Sequence, residues 1–235
     1  MAPRSAKIVL FFLLGGLGVW YLLRRPVIEK PVVLSRPVHV VSSADIATPV
    51  RGHLEEALRE EAAGRVAEAV SAYEKVLAEQ PDLAAAYVAL GKLYFKMRLP
   101  GKARETYLAA EARGLMTSEM YLQLGYIEEA SGKLSEAVSY YRKAEDLGSR
   151  DPALYFNMGN VLVQNGEMEK ALGYYQKVLA LDPQHLDTQV NLSVVSFRLG
   201  RYPDAQFYLE KAVRLGYNAP REYQEILKEK NGQGK

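Results

Sequence analysis

Residues 118–151 read SEMYLQLGYIEEASGKLSEAVSYYRKAEDLGSRD, a 34-residue unit whose pattern recurs along the chain without insertion or deletion. Its Ala137 is one of five alanines spaced 34 residues apart, and a large side chain such as Tyr141 follows each alanine by four residues. A fixed period of this length is the signature of a stacked repeat architecture. The register defines five repeats, at residues 50–83, 84–117, 118–151, 152–185 and 186–219.

Each unit has the pattern of two short helices joined by a tight turn. A small residue in the first half, such as Gly125, lets two helices approach closely. Gly132 marks the turn, where glycine adopts the left-handed conformation without steric cost. Arg98 is the one exception at that position. A single unit cannot bury its apolar face alone, so stacked neighbours must supply the core. These features predict an all-α solenoid.

The third repeat resembles the tetratricopeptide family, and the resemblance covers 170 of the 235 residues. It implies a right-handed superhelix of five helix–turn–helix repeats, in which the first helices line a concave groove for a peptide or helix of a protein partner. Residues 220–230 begin with proline and are predicted to form a cap helix, followed by a disordered tail at 231–235. The resemblance rests on Tyr121, Leu124, Gly125, Gly132, Ala137, Tyr141 and Ala144.

The resemblance also implies which residues face the groove. Asn157 and Asn191 hold the same position in successive repeats. Their amides can pair with both donors and acceptors of a peptide backbone, which favours a ladder along one ligand. The alternative is that these are only solvated side chains. The implied groove residues are Lys92, Phe95, Lys96, Gln123, Tyr126, Glu129, Asn157, Asn160, Asn191 and Arg198.

The best-defined binding chemistry of the family is a two-carboxylate clamp for chaperone C-termini. Asn160, Asn191 and Arg221 fall at matching places. Phe156 and Glu225, however, stand where a lysine and an arginine belong, and Glu225 would repel a carboxylate. We therefore expect no chaperone binding of that kind.

Residues 8–23 read IVLFFLLGGLGVWYLL and contain no charge. As a helix this run would span about 24 Å, slightly less than a hydrocarbon core. A cleavable signal peptide is the alternative, but Arg24 and Arg25 stand where its cleavage site should lie. A buried core helix is a third interpretation. We predict a single transmembrane helix over 8–23, after a short tail at 1–7.

Residues 24–49 carry four prolines among valines, a composition typical of a semi-rigid tether. The stretch PVVLSRPVHVV could instead add as a strand to a partner's sheet. The Lys and Arg residues on the two sides of the apolar run nearly balance, so the orientation of the repeats stays open. Mitochondrial import receptors and bacterial envelope biogenesis factors resemble this chain in combining an N-terminal anchor with tetratricopeptide repeats. The Ala- and Gly-rich helices favour the bacterial group, and therefore the bacterial inner membrane as the location.

Composition excludes several classes of function. Residues 1–49 have six basic and two acidic residues, and the remainder has 24 basic and 26 acidic ones, without the basic excess typical of nucleic-acid binding. The chain has no cysteine, and its three histidines lie far apart. No catalytic set, phosphate loop or metal spacing is present, so we predict a non-enzyme without cofactor. Adjacent acidic residues such as Glu128 and Glu129 could in principle act as an acid–base pair, but neighbouring residues of a helix point in different directions.

Two functions follow from this organisation. The first is a membrane-anchored scaffold or adaptor that binds a partner segment in its groove and helps assemble a membrane-associated complex. The second is a structural protein that self-associates through stacked repeat ends. The second is suggested by the fifth repeat, where Gln189 and Ser196 depart from the pattern and could leave a weakly capped end.

Overall fold

The computed structural model describes residues 9–12, 19–22 and 48–233, with side chains over residues 49–232. The chain divides into two compact units, Met1–Val41 and Ser42–Lys235. In the first unit, strand β1 (Val9–Phe12) pairs antiparallel with strand β2 (Val19–Leu22). The register sets Val9 opposite Leu22 and Phe12 opposite Val19.

The prediction of a membrane helix over 8–23 is wrong at β1 and β2. Valine, phenylalanine, tryptophan and tyrosine favour strands, and the glycines at 15, 16 and 18 weaken a helix. The rest of that segment, the tail at 1–7 and residues 24–47 of the linker lie outside the described residues. Among the described residues, none of the helices combines the length and the hydrophobicity that a membrane span requires.

The second unit is an array of paired helices. Each repeat contains a first helix (A helix) and a second helix (B helix), joined by an A–B turn and linked to the next repeat by a B–A turn. The A helices are α1 (Thr48–Ala62), α3 (Ala84–Lys96), α5 (Ser118–Ala130), α7 (Pro152–Gln164) and α9 (Leu186–Arg198). The B helices are α2 (Val66–Glu79), α4 (Pro100–Glu111), α6 (Leu134–Asp146), α8 (Met168–Leu181) and α10 (Tyr202–Arg214). Helix α11 (Arg221–Gln233) follows them.

Two boundaries differ from the sequence-based expectation. Helix α1 begins at Thr48, inside the predicted linker, with Pro49 in its first turn, a position that proline tolerates well. Helix α11 runs to Gln233, so the predicted disorder of the tail is wrong for residues 231–233. The Asn231 side-chain amide donates to the Tyr202 carbonyl oxygen at 3.3 Å, which holds this last turn against repeat 5.

The core of each inner repeat is built on a tyrosine packed against a glycine. Tyr107, Tyr141 and Tyr175 of the B helices are fully buried. A methyl group added at Gly159 would lie within 3.0 Å of three ring atoms of Tyr175, and one added at Gly91 or Gly125 would lie within 3.0 Å of at least two ring atoms of Tyr107 or Tyr141. The glycine therefore sets how closely the A and B helices approach. The five alanines of the repeat register are also fully buried.

The end of the array is covered rather than open. Tyr223 and Leu227 of α11 are buried against repeat 5. The Ser193 hydroxyl lies 2.8 Å from the Ala205 carbonyl oxygen and 2.9 Å from the Tyr223 hydroxyl. In repeat 5, Gln189 stands where repeats 2–4 have a tyrosine, and it makes the equivalent hydrogen bond. Its side-chain amide donates to the Pro183 carbonyl oxygen at 3.1 Å, just as the Tyr87 hydroxyl of repeat 2 donates to the Pro81 carbonyl oxygen at 2.9 Å.

The A–B turn of repeat 2 contains a strained residue. Arg98 has φ of 60°, the only positive φ among the non-glycine residues described. The other four A–B turns have glycine in this conformation, with φ between 71° and 81°. A side chain in the left-handed region costs about 1–2 kcal/mol.

We expect Arg98→Gly to raise the free energy of unfolding by about 0.5–1 kcal/mol, because the strain outweighs the greater chain entropy of glycine. Urea denaturation followed by circular dichroism measures the change. Gly132→Arg is the matched control, and it should lower the midpoint because it introduces the same strain. A lower midpoint for Arg98→Gly would show that the arginine side chain stabilises the turn.

Candidate binding face of the A helices

Side chains of neighbouring A helices form one continuous face, named here the A-face. The Phe95 and Tyr126 rings join α3 to α5, with their centroids 5.7 Å apart. Asn160 and Asn191 join α7 to α9 by a hydrogen bond of 3.0 Å. In both pairs the two residues are 31 positions apart, so each contact joins one turn of an A helix to the preceding turn of the next A helix rather than two equivalent positions of the 34-residue register.

Two asparagines and a tyrosine form a hydrogen-bonded group on this face, named here the amide cluster. Asn160 Oδ1 accepts a hydrogen bond from the Tyr175 hydroxyl at 2.7 Å and another from Asn191 Nδ2 at 3.0 Å. Asn191 Nδ2 also lies 3.3 Å from the Tyr175 hydroxyl oxygen. Burial raises the pKa of Tyr175 above its ordinary value, so its hydroxyl remains a donor at neutral pH.

The amide cluster keeps unused hydrogen-bonding capacity. With the amides oriented by this network, Asn160 Nδ2 and Asn191 Oδ1 have no partner among residues 49–232. One is a donor and the other an acceptor, the pair that complements the carbonyl and N–H groups of an extended peptide. Asn157, one turn before Asn160, is half-buried and makes no side-chain hydrogen bond within the same range.

The N-terminal part of the A-face is more apolar. Phe95 and Tyr126 are half-buried, and Phe95 packs on the core of the first repeats. Leu58 occupies the equivalent position to Tyr126 in repeat 1 and is 53% exposed. The face therefore changes along the array from an aromatic and aliphatic surface in repeats 1–3 to an amide surface in repeats 4–5.

The charged residues of the A-face have different surroundings. Lys92 forms an ion pair with Glu119 of the next A helix, so its ammonium group is already neutralised. Lys96 and Arg198 are the last residues of α3 and α9, are exposed, and make no ion pair in the described array. Gln123 is half-buried on α5 between the two parts of the face.

Glu128 and Glu129 are buried and committed to structural contacts. Glu128 accepts from Arg104 Nε at 2.6 Å and lies 3.3 Å from Lys133 Nζ. Glu129 accepts from the Tyr141 hydroxyl at 2.8 Å. Glu129 is therefore not an open groove residue, in contrast to the sequence-based expectation. A carboxylate this deeply buried needs such donors to offset the cost of its desolvation.

Comparison with known proteins agrees with this geometry. Two family models described as tetratricopeptide repeat match the chain, one at residues 54–114 and 88–152 and the other at residues 150–216. Together these matches extend over residues 54–216, more than half of the chain. The chain belongs to the tetratricopeptide-repeat family. The predicted repeats are thereby confirmed.

Solved tetratricopeptide structures share the fold. MamA superposes with a TM-score of 0.64 at 22% identity, covering 73% of this chain and 96% of that one. YrrB, described as a TPR protein with an unusual peptide-binding site, gives 0.63 at 22% identity, covering 74% and 88%. PilW, a type IV pilus biogenesis factor, gives 0.60 at 18% identity, covering 72% and 79%. No curated protein matches the chain by sequence.

Within the tetratricopeptide pattern, the sequence did not indicate the role of Tyr175. The aromatic residue of a B helix is assigned to the core, and the ring of Tyr175 is indeed buried. Its hydroxyl nevertheless reaches the A-face and fixes both amides. The sequence did contain a signal for this role. Twelve residues before Tyr73 and before Tyr141 stands a glutamate, which accepts a hydrogen bond from the tyrosine hydroxyl. Twelve residues before Tyr175 stands Val163, which cannot accept, and the Tyr175 hydroxyl donates to Asn160 instead.

Proposed function

We propose that this chain is a non-enzymatic scaffold that binds an extended segment of a partner protein on its A-face. The amide cluster carries the proposal, because it holds a free donor and a free acceptor at one place on a rigid helical surface. The aromatic surface of repeats 1–3 would take apolar side chains of the same segment. Tetratricopeptide relatives such as YrrB, described as having a peptide-binding site, support this mode of binding.

We further propose that the scaffold works at a membrane, and that the apolar run at residues 8–23, which includes β1 and β2, attaches it there without a single spanning helix. Support comes from the sequence, in which an uncharged apolar run is followed by two arginines. The bacterial inner membrane is the proposed location, consistent with the described role of PilW in pilus biogenesis. Fractionation of cells expressing the full chain tests this. Leu13→Lys with Leu14→Lys should release the chain to the soluble fraction, and unchanged membrane retention would contradict the attachment.

Self-association through repeat ends has less support. Helix α11 covers the apolar end of repeat 5, and its remaining surface is exposed and charged. Another array would have to displace this helix or bury those charges, and moving charged side chains out of water is costly. The exposed residues of α11 include Arg221, Glu222, Glu225, Lys228 and Glu229.

The test of the A-face uses Asn160→Asp. The aspartate keeps the oxygen that accepts from Tyr175 and Asn191 but replaces the free donor with an acceptor. A peptide ligand is first selected from a displayed random library on the immobilised chain, and its affinity is measured by calorimetry. We expect Asn160→Asp to weaken binding about tenfold or more, the cost of one unpaired polar contact.

Asn218→Asp is the matched control, because Asn218 is exposed in the B–A turn before α11, away from the A-face. It makes the same chemical change and the same change in net charge, and we expect its affinity to equal that of the parent. Asn157→Ala is a second probe, since no side-chain hydrogen bond is lost within the described array. If both A-face variants bind the peptide as the parent does, the amide cluster is not the binding site.

A further inference from the structure

The A–B turn of repeat 2, named here the basic turn (residues 96–102), combines exposed cations with exposed apolar side chains. Met97 is 40% exposed and Leu99 is 38% exposed. The three cations are Lys96, Arg98 and Lys102, all exposed and without an ion pair among residues 49–232. Lys102 Nζ lies 5.3 Å from the centre of the Tyr94 ring. No acidic residue occurs between positions 96 and 104.

The backbone of the basic turn is strained at its tip. Arg98 takes the left-handed conformation that glycine takes in every other A–B turn. Strained residues of this kind gather where a side chain is used for recognition. Arg98 is exposed, and its two sequence neighbours are the exposed apolar residues Met97 and Leu99.

The neighbouring A–B turns leave the excess of positive charge confined to the basic turn. Because the repeats share one register, these turns form one edge of the array. Arg65 and Lys133 are exposed on either side of the basic turn, each paired with one buried glutamate, and small residues fill most of the remaining surface. The exposed acids of these two turns are Glu68 and Glu136. The edge formed by the B–A turns instead mixes both signs, with Glu79, Asp82, Arg113, Asp146, Arg150 and Arg214.

We propose that the basic turn docks the array on an anionic membrane surface. Its two exposed apolar side chains enter the headgroup region, and its three cations face the lipid phosphates. This contact goes beyond peptide binding on the A-face and is separate from the apolar run at residues 8–23. It holds one edge of the array against the bilayer.

The chemistry of the basic turn favours a membrane over an acidic protein segment. An acidic protein segment would pair with the cations but leave the exposed apolar side chains of Met97 and Leu99 without a partner. A bilayer interface accepts exposed apolar side chains, and each nearby Lys or Arg increases binding to anionic lipid by about fivefold. Three such cations predict an increase of about a hundredfold over a neutral bilayer.

The absence of cysteine from the sequence allows a site-specific test in the full chain. Met97→Cys is made in the full chain together with Leu13→Asp and Leu14→Asp, which disable the apolar run at residues 8–23 without adding positive charge. The cysteine is labelled with a polarity-sensitive fluorophore, and the chain is mixed with vesicles of phosphatidylcholine, alone or with phosphatidylserine. We expect a blue shift with the anionic vesicles only, and its reversal by added salt. Leu147→Cys, which is 54% exposed beside a B–A turn, is the reference label and should not shift.

The charge requirement is tested by a triple variant, Lys96→Gln with Arg98→Gly and Lys102→Gln, in the same labelled background. It removes strain as well as charge, so it should fold as well as the parent. We expect its affinity for anionic vesicles, from the titrated shift, to fall at least tenfold. Arg113→Gln with Arg150→Gln and Arg214→Gln is the matched control, with an equal change in net charge on the other edge, and should keep the parent affinity.

Several results would overturn the proposal. An equal shift with neutral vesicles would show that the cations are not involved. Parent-like binding by the triple variant, or an equal loss in the control, would show that overall charge rather than the basic turn is responsible. A shift with polyglutamate but not with anionic vesicles would make an acidic protein segment the ligand. None of these results depends on the peptide affinity that tests the A-face.

Discussion

Gly159→Ala should lower the free energy of unfolding by about 2–3 kcal/mol. The added methyl group would lie within 3.0 Å of three atoms of the fully buried Tyr175 ring, so α7 and α8 must separate. Overpacking of this kind costs about 1–3 kcal/mol or more, which exceeds the gain in helix propensity from replacing glycine. Urea denaturation followed by circular dichroism measures the effect, and hydrogen exchange should place it in repeats 4 and 5.

Gly173→Ala provides the control within the same repeat. Gly173 is exposed on α8, and an added methyl group would contact nothing within 4 Å. This variant should gain about 0.5–1 kcal/mol from helix propensity alone. Repeat 1 has Ala57 at the position of Gly159 and Tyr73 at the position of Tyr175, and both are buried. Among the described residues no A helix precedes α1, so α1 can shift to accommodate the alanine. A Gly159→Ala variant as stable as the parent would mean that α7 can shift as well.

Tyr141→Phe should lower the free energy of unfolding by about 1.5–3 kcal/mol. The Tyr141 hydroxyl donates to Glu129 Oε2 at 2.8 Å, and both side chains are buried. Tyr141→Phe removes the donor, so a buried carboxylate oxygen of Glu129 loses a hydrogen bond. The desolvation cost of leaving that oxygen without its donor exceeds the net free energy that an average hydrogen bond contributes. The loss is measured by the same denaturation experiment, and no change would contradict the structural role of this bond.

Tyr107→Phe is the natural control for this bond. Tyr107 is equally buried, but its hydroxyl has no hydrogen-bond partner in the described array. Phe95 stands twelve residues before it, where Tyr141 has Glu129. We expect Tyr107→Phe to be neutral or slightly stabilising, because it removes an unpaired polar group. In a Phe95→Glu background the same substitution should become destabilising, since the hydroxyl then gains an acceptor.

The sequence predicted the repeats well because their determinants are local and periodic. The positions of Gly125, Ala137 and Tyr141 are fixed by steric demands that recur in every unit, so a single register gives the helices, the turns and the core. The N-terminal segment has no such repetition. An apolar run of its length and composition is compatible with either helix or strand, and hydrophobicity alone did not distinguish them.

The candidate site was predicted only in part, because spacing gives the position of a side chain but not its partners. Asn160 and Asn191 were correctly placed on neighbouring A helices, and the structure brings them within 3.0 Å. Their engagement by Tyr175 depends on the reach of a side chain from a B helix fifteen residues away. Glu129 was placed by the same spacing, but Tyr141 occupies its carboxyl group.

Tyr175 connects two properties of the molecule that are usually treated separately. Its ring sets the distance between α7 and α8, and its hydroxyl fixes the amides of the A-face. A ligand that favours the Asn160 side chain in this hydrogen-bonded position therefore also favours the native packing of Tyr175, and by linkage the native packing favours the ligand by the same free energy. A substitution at Tyr175 is therefore expected to change both the stability of repeat 4 and the affinity of the A-face, whereas a substitution elsewhere in the core changes stability alone.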